Sequence, residues 1–207
     1  MDPEVARDRL VDRLCGREDF GEATAAAMRA VPRHAFVPES HRADAYQDRP
    51  LPIGRGQTIS APHVVALVTD LLELEHGQSV LEIGTGCGYH AAVTAEVVGP
   101  TNVLSVEYHT DLADRARETL DETGYGAVSV RVGDGRQGWA DHAPYDRAYL
   151  TCAAPSFPDR VVEQVRPGGL LIGPLGTDRQ VLVRARKRED GSLRREHHGR
   201  VRFVPLQ

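Results

Sequence analysis

Val80-Leu81-Glu82-Ile83-Gly84-Thr85-Gly86-Cys87-Gly88-Tyr89 is the stretch that decides the fold of this 207-residue chain. Strand-forming residues run into an acidic residue. Three glycines follow at alternate positions, and then an Ala/Val-rich helix pattern from Ala91 to Val98. A buried parallel strand that empties into a glycine turn and a helix start is a place to hold a ligand. The glycines allow a sharp turn and let the backbone approach the ligand with no Cβ in the way.

Outward from this loop the pattern alternates. Strands fit at 79–83, 102–107, 127–132, 146–151 and 169–173, and helices at 89–98, 110–122 and 157–166. Such alternation predicts an α/β fold, a doubly wound and mostly parallel sheet with helices on both faces. Val181–Arg186 and Arg200–Val204 instead alternate around an Asp190-Gly191 turn signal, which predicts antiparallel strands at the C-terminal edge. Upstream, Val5, Leu10, Val11 and Leu14 mark one helix and Ala23–Val31 a second, stopped by Pro32. Residues 32–60 read as irregular but packed, since Phe36, Val37, Tyr46, Leu51 and Ile53 are interspersed among the prolines. Ser60 and Pro62 suit the N-cap and first turn of a further helix. The expected organisation is one domain over 1–207, with N-terminal helices and a substrate-side loop (1–60) on a ligand-binding core (61–207).

Two ligand classes compete for the glycine loop. Gly86-x-Gly88-x-x-Ala91 satisfies the dinucleotide pattern, in which a pyrophosphate sits on the helix N-terminus. Glu82, two residues before the first glycine, would repel a pyrophosphate and favour a cationic ligand. Glu107 ends the next strand, where a carboxylate accepts from ribose hydroxyls. Asp134, within Gly133-Asp134-Gly135 at the end of the third, could accept from an adenine amino group. Three carboxylates at successive strand ends favour S-adenosylmethionine over NAD.

Composition narrows the field. With 41% hydrophobic and 27% charged residues the chain reads as an ordinary globular domain. A net charge of −5 argues against a non-specific nucleic-acid binder. No apolar run approaches a membrane span, and Met1-Asp2-Pro3-Glu4 does not resemble a signal peptide. Cys15, Cys87 and Cys152 form neither a disulfide framework nor a zinc pattern, and the nine histidines offer no metal set. A monomer in a reducing cytoplasm is expected, with no metal.

Further segments carry a resemblance. They are Ala30–Pro38 (AVPRHAFVP), Asp48–Gly54 (DRPLPIG), Gly56–His63 (GQTISAPH), Val132–Gly135, Ala143–Arg147, Arg166–Gly169 and Val201–Leu206. Together with the glycine loop they make the chain resemble the protein-L-isoaspartate O-methyltransferase family of class I methyltransferases. Gly-Gln-Thr-Ile-Ser is the specific segment, whereas the glycine loop marks only the superfamily. The resemblance implies methylation of the free α-carboxylate of L-isoaspartyl residues, and less readily of D-aspartyl residues, in damaged proteins and peptides. The ester then collapses to a succinimide that partly regenerates aspartate. It implies Ser60 as the active-site residue, with Gln57, Thr58 and Ile59 lining the transfer site. Gly84, Thr85, Gly86, Gly88, Glu107, Asp134 and Gly135 would hold the cofactor, beside Glu82. Gln180 would lie near the substrate. Cys87 and His90 stand where bacterial relatives often have Ser and Gln, and Arg55 where many have His. A methyltransferase for another peptide carboxylate and a non-catalytic cofactor-binding protein are the alternatives.

Overall fold

The computed structural model describes residues 2–207. Helices α1 (Pro3–Cys15) and α2 (Glu22–Ala30) open the chain. Asp2 caps α1 by accepting from the Glu4 amide at 2.8 Å. Leu10, Val11 and Leu14 are buried as expected, but Val5, at the first turn, is exposed. The segment read as irregular contains two 3-10 turns, Arg33–Phe36 and Glu39–Asp44, and a small antiparallel ribbon, β1 (Leu51–Gly54) with β2 (Gln57–Ile59). The ribbon was hidden by its length and by Pro52. Its turn uses left-handed backbone at Gly54, Arg55 and Gly56. Leu51, Ile53, Phe36 and Val37 are buried, so the segment is packed.

Helix α3 (Pro62–Leu71) follows. Its N-cap is Ala61 rather than Ser60, and no side chain caps it. The main sheet then alternates with helices: β3 (Val80–Ile83), α4 (Tyr89–Val98), β4 (Val103–Glu107), α5 (Thr110–Glu122), β5 (Ser129–Val132), β6 (Tyr145–Leu150), α6 (Asp159–Gln164), β7 (Val165–Leu175), β8 (Gln180–Lys187) and β9 (Leu193–Val201). Strand order is β5-β4-β3-β6-β7-β8-β9. The first five are parallel, and β8 and β9 are antiparallel. The last strand starts at Leu193 and ends at Val201, earlier than the 200–204 alternation predicts. Its outer residues are polar, an exposed edge that hydrophobic periodicity does not mark. Phe203–Leu206 instead leaves the sheet and meets the end of β6, where the Ala153 amide donates to Val204 and the Leu206 amide to Ala153.

Each central strand feeds two cores. Val80, Val103, Tyr149 and Ile172 face the side that also buries residues of α1–α4 and of the β1–β2 ribbon. Leu81, Ile83, Leu104, Val106 and Leu150 face the side covered by α6. The order reverses between β3 and β6. Ligands bind at such a switch point, outside the carboxyl ends of the strands.

Candidate functional site

A cleft lies at this switch point, lined by residues of β2, the glycine loop, the segment after β4 and the C-terminal tail. The glycine loop forms its floor. Gly84 and Gly86 have positive φ, 98° and 56°. A Cβ at Gly84 would collide with the Thr151 hydroxyl, so glycine is required there on two counts.

Glu107 is nearly fully buried at the cleft wall. Its Oε2 accepts from the Gly86 amide at 2.8 Å and its Oε1 from the His109 amide at 3.0 Å. These bonds aim the carboxylate and leave lone pairs for two hydroxyl donors. Gly135 is buried and also lines the cleft, and a Cβ there would run into Ile83. The lining thus combines a fixed carboxylate with a glycine cradle, and these fit an adenosine-bearing cofactor.

Nine of the thirteen residues singled out in the sequence line this cleft: Gln57, Thr58, Ile59, Ser60, Gly84, Thr85, Gly86, Glu107 and Gly135. Four do not. Gly88, at φ 88°, starts α4, and a Cβ there would press on Leu120. Asp134 accepts from the Arg136 amide and guanidinium at 2.9 Å, which holds its carboxyl below the usual range. Gln180 exchanges two hydrogen bonds with the Phe203 backbone and so anchors the C-terminal segment.

Glu82 corrects the reading of a carboxylate facing a cationic ligand. Strand alternation points it, like Val80, into the protein, and it is fully buried. It is flanked in register by Ser105 and Tyr149. The Tyr149 hydroxyl donates to Oε1 at 2.8 Å and the Ser105 hydroxyl to Oε2. Ser105 continues to the Thr85 hydroxyl at 2.6 Å, in the glycine loop. Burial pushes Glu82 up to about 8, against the opposing pull of these hydrogen bonds. In its neutral form Glu82 has a proton of its own to donate, so the bond with Ser105 reverses and Ser105 donates on to Thr85, bracing the glycine loop.

This shift has a testable sign. A raised carboxyl pKa contributes stability that is complete below the unfolded value, near 4.5, and lost as pH rises through 8. His90 runs the other way. Burial lowers it to about 3, so its loss falls on the acid side of 6.5. The buried thiols Cys87 and Cys152 are also pushed up and begin to cost stability near pH 9, but equally in wild type and Glu82→Gln. In urea unfolding, the difference between these two proteins from pH 6.5 to 9 therefore isolates Glu82. The wild-type chain should lose about 2 kcal/mol more over that window than Glu82→Gln, at about 1.4 kcal/mol per pKa unit. Parallel curves would show that Glu82 is ionised in the folded state.

Sequence reasoning missed other lining residues. Tyr108 and His109 follow Glu107 directly, and an aromatic pair after a strand-end acid was a readable signal. The C-terminal Val204–Gln207 also lines the cleft, which no local pattern announces. Cys87 is at the wall, but burial pushes its thiol up to about 11, so it is not a poised nucleophile.

A second groove adjoins the first. Thr58, Ser60, Thr151 and Val204 line both. His63, Arg200 and Arg202 line the groove alone, and the His63 ring meets Asp48 Oδ1 at 2.8 Å. Ser60 sits where the two spaces meet. Its carbonyl is held by Arg33 at 2.8 Å, and its hydroxyl has no protein partner among the described residues.

The sequence matches the profile of the protein-L-isoaspartate(D-aspartate) O-methyltransferase family over residues 8–207. It is 51% identical to protein-L-isoaspartate O-methyltransferase 2 of Archaeoglobus fulgidus, covering all of this chain and 95% of that one. It is 46% identical, with the same coverage, to a protein-L-isoaspartate O-methyltransferase of Geobacter metallireducens. Among solved structures, a protein-L-isoaspartate O-methyltransferase superposes with a TM-score of 0.90 at 29% identity, covering 97% of this chain and 66% of that one. A Plasmodium falciparum protein assigned to the same class, solved with S-adenosyl-L-homocysteine, shares the fold, with a TM-score of 0.84 at 23% identity and coverage of 97% and 98%.

Proposed function

The chain belongs to the protein-L-isoaspartate(D-aspartate) O-methyltransferase family, and we infer that it methylates the free α-carboxylate of L-isoaspartyl residues in damaged proteins and peptides. S-adenosylmethionine supplies the methyl group, carried on a sulfonium. One observation carries the reading of the site: the glycine-loop cleft and the second groove share a wall at Thr58, Ser60 and Thr151. A peptide carboxylate entering from the groove would meet the cleft there.

The residues divide the work. Glu107 would accept from the ribose hydroxyls, while Gly84–Gly86 and Gly135 give the cofactor close backbone approach. Ser60 would donate its free hydroxyl to one substrate carboxylate oxygen, leaving the other aimed along the line of transfer. No general base is required, because a carboxylate with a reference pKa near 4 is already ionised. The chemistry is positioning. Carboxylate and sulfonium charges cancel as the methyl moves, so neutral hydroxyls suit the nucleophile better than an arginine would. Enclosure by the C-terminal segment favours that loss of charge.

A monomer is the proposed working unit. The three free cysteines support a reducing, cytoplasmic setting. No described helix is long and apolar enough to cross a membrane.

The test is methyl transfer to an isoaspartyl peptide and to its normal aspartyl twin. Labelling of the first and not the second is expected. Equal labelling would favour a broader carboxylate methyltransferase, and none at all a binding protein.

A further inference from the structure

Arg33 lies in the first 3-10 turn after α2 and has no solvent exposure. Its Nε donates to the Ala45 carbonyl at 2.9 Å, and its Nη2 to the Ser60 carbonyl at 2.8 Å and the Arg49 carbonyl at 3.5 Å. Its guanidinium carbon sits 4.9 Å from the centroid of the Tyr89 ring. Tyr89 begins α4 and lines the cofactor cleft. Nη1 is buried with no partner, and no carboxylate forms an ion pair with the group among the described residues.

A fully buried arginine without a counter-ion is costly. An apolar side chain of similar volume usually stabilises a core as well or better. The use of arginine here therefore calls for a role that an apolar residue could not fill. Only a planar fork reaches three carbonyls from separate points of the chain while its face rests on an aromatic ring. One of those carbonyls is that of Ser60, between the two ligand spaces. The ring belongs to the helix that starts at the cofactor loop.

We propose that Arg33 is a positioning residue for methyl transfer, fixing Ser60 relative to the cofactor-side helix through the Ser60 carbonyl and the Tyr89 ring. It touches neither substrate nor cofactor and acts through the register of the Ser60 segment. The inference rests on the role given to Ser60 above and extends it. A displacement well under the length of a bond matters here, since the carboxylate oxygen must lie in line with the breaking bond.

Arg33→Lys keeps a cation but loses the fork. On an isoaspartyl peptide its kcat/KM should fall at least tenfold, with S-adenosylhomocysteine affinity within about threefold of wild type. The same substitution in a Ser60→Ala background should cost less than about threefold, because the group being positioned is gone. Equal losses in the two backgrounds, or wild-type kinetics for Arg33→Lys, would overturn the proposal. If the lysine variant lacks a cooperative unfolding transition, Arg33→Gln carries the same cycle. Failure of both to fold would assign Arg33 to the fold itself and overturn the proposal equally. Wild-type protein inactive on the peptide would instead refute the functional reading.

Discussion

Glu107→Ala is expected to weaken S-adenosylmethionine and S-adenosylhomocysteine binding by about 10²–10⁴-fold. Two hydrogen bonds to a charged acceptor contribute roughly 1.5–3 kcal/mol each, and about 1.4 kcal/mol is tenfold in affinity. The carboxylate also organises its surroundings. The Gly86 and His109 amides that donate to it at 2.8 and 3.0 Å lose their acceptor, so the glycine loop and the segment after β4 both loosen. Glu107→Gln separates the two contributions. The amide has one carbonyl oxygen where the carboxylate has two acceptors, and its NH₂ would face an amide donor. Titration calorimetry with S-adenosylhomocysteine reads the effect without turnover. Unchanged affinity in both variants would remove Glu107 from the ribose. NAD in the same experiment should give no heat, and measurable binding would return the loop to the dinucleotide class.

The parallel part of the fold was legible because its strands are short apolar runs between strong helix and turn signals. Predicted and observed boundaries of α4 and α5 coincide, since Gly88 and Gly99 punctuate the first and a high amphipathic contrast marks the second. Where one face is solvated or a segment is short, the signal fades. The β1–β2 ribbon is only seven residues of strand, one of them proline. β9 reads as charged loop because it is an edge.

The site was legible where residues are adjacent in sequence and not where the fold alone brings them together. Gln57–Ser60 and Gly84–Gly86 are contiguous motifs, and both line the cleft. Val204–Gln207 reaches it only after the chain returns from the β9 edge to the end of β6. Glu82 shows the opposite failure. Its position at a strand end before a glycine loop matches a ligand-facing carboxylate, but a single residue of strand phase turns it inward, against Tyr149 and Ser105. Both faces of β3 are packed, so only residues past the strand end reach the cleft, and the sequence motif does not say where the strand ends.

Ser60 was ambiguous for a related reason, since a serine two residues before a proline fits both a helix cap and an active-site hydroxyl. The geometry separates the roles. Ala61 occupies the cap position and no side chain completes the first turn of α3, so the hydroxyl is not committed to stability. Ser60→Ala should therefore unfold within about 0.5 kcal/mol of wild type, as expected for a side chain outside any structural network, where loss of a true cap would cost about 1 kcal/mol. Cofactor affinity should be nearly unchanged. The methyl-transfer rate in a single turnover should fall about 10- to 100-fold. One neutral hydrogen bond accounts for about 0.5–1.5 kcal/mol of that, and the remainder comes from a carboxylate free to rotate away from the line of transfer. Ser60→Thr, which keeps a hydroxyl, should recover part of the rate if its methyl group is accommodated. A Ser60→Ala enzyme with full single-turnover rate would remove the hydroxyl from the mechanism. Positioning would then rest on the backbone of Gln57–Ile59, which meets the same cleft from the β2 strand.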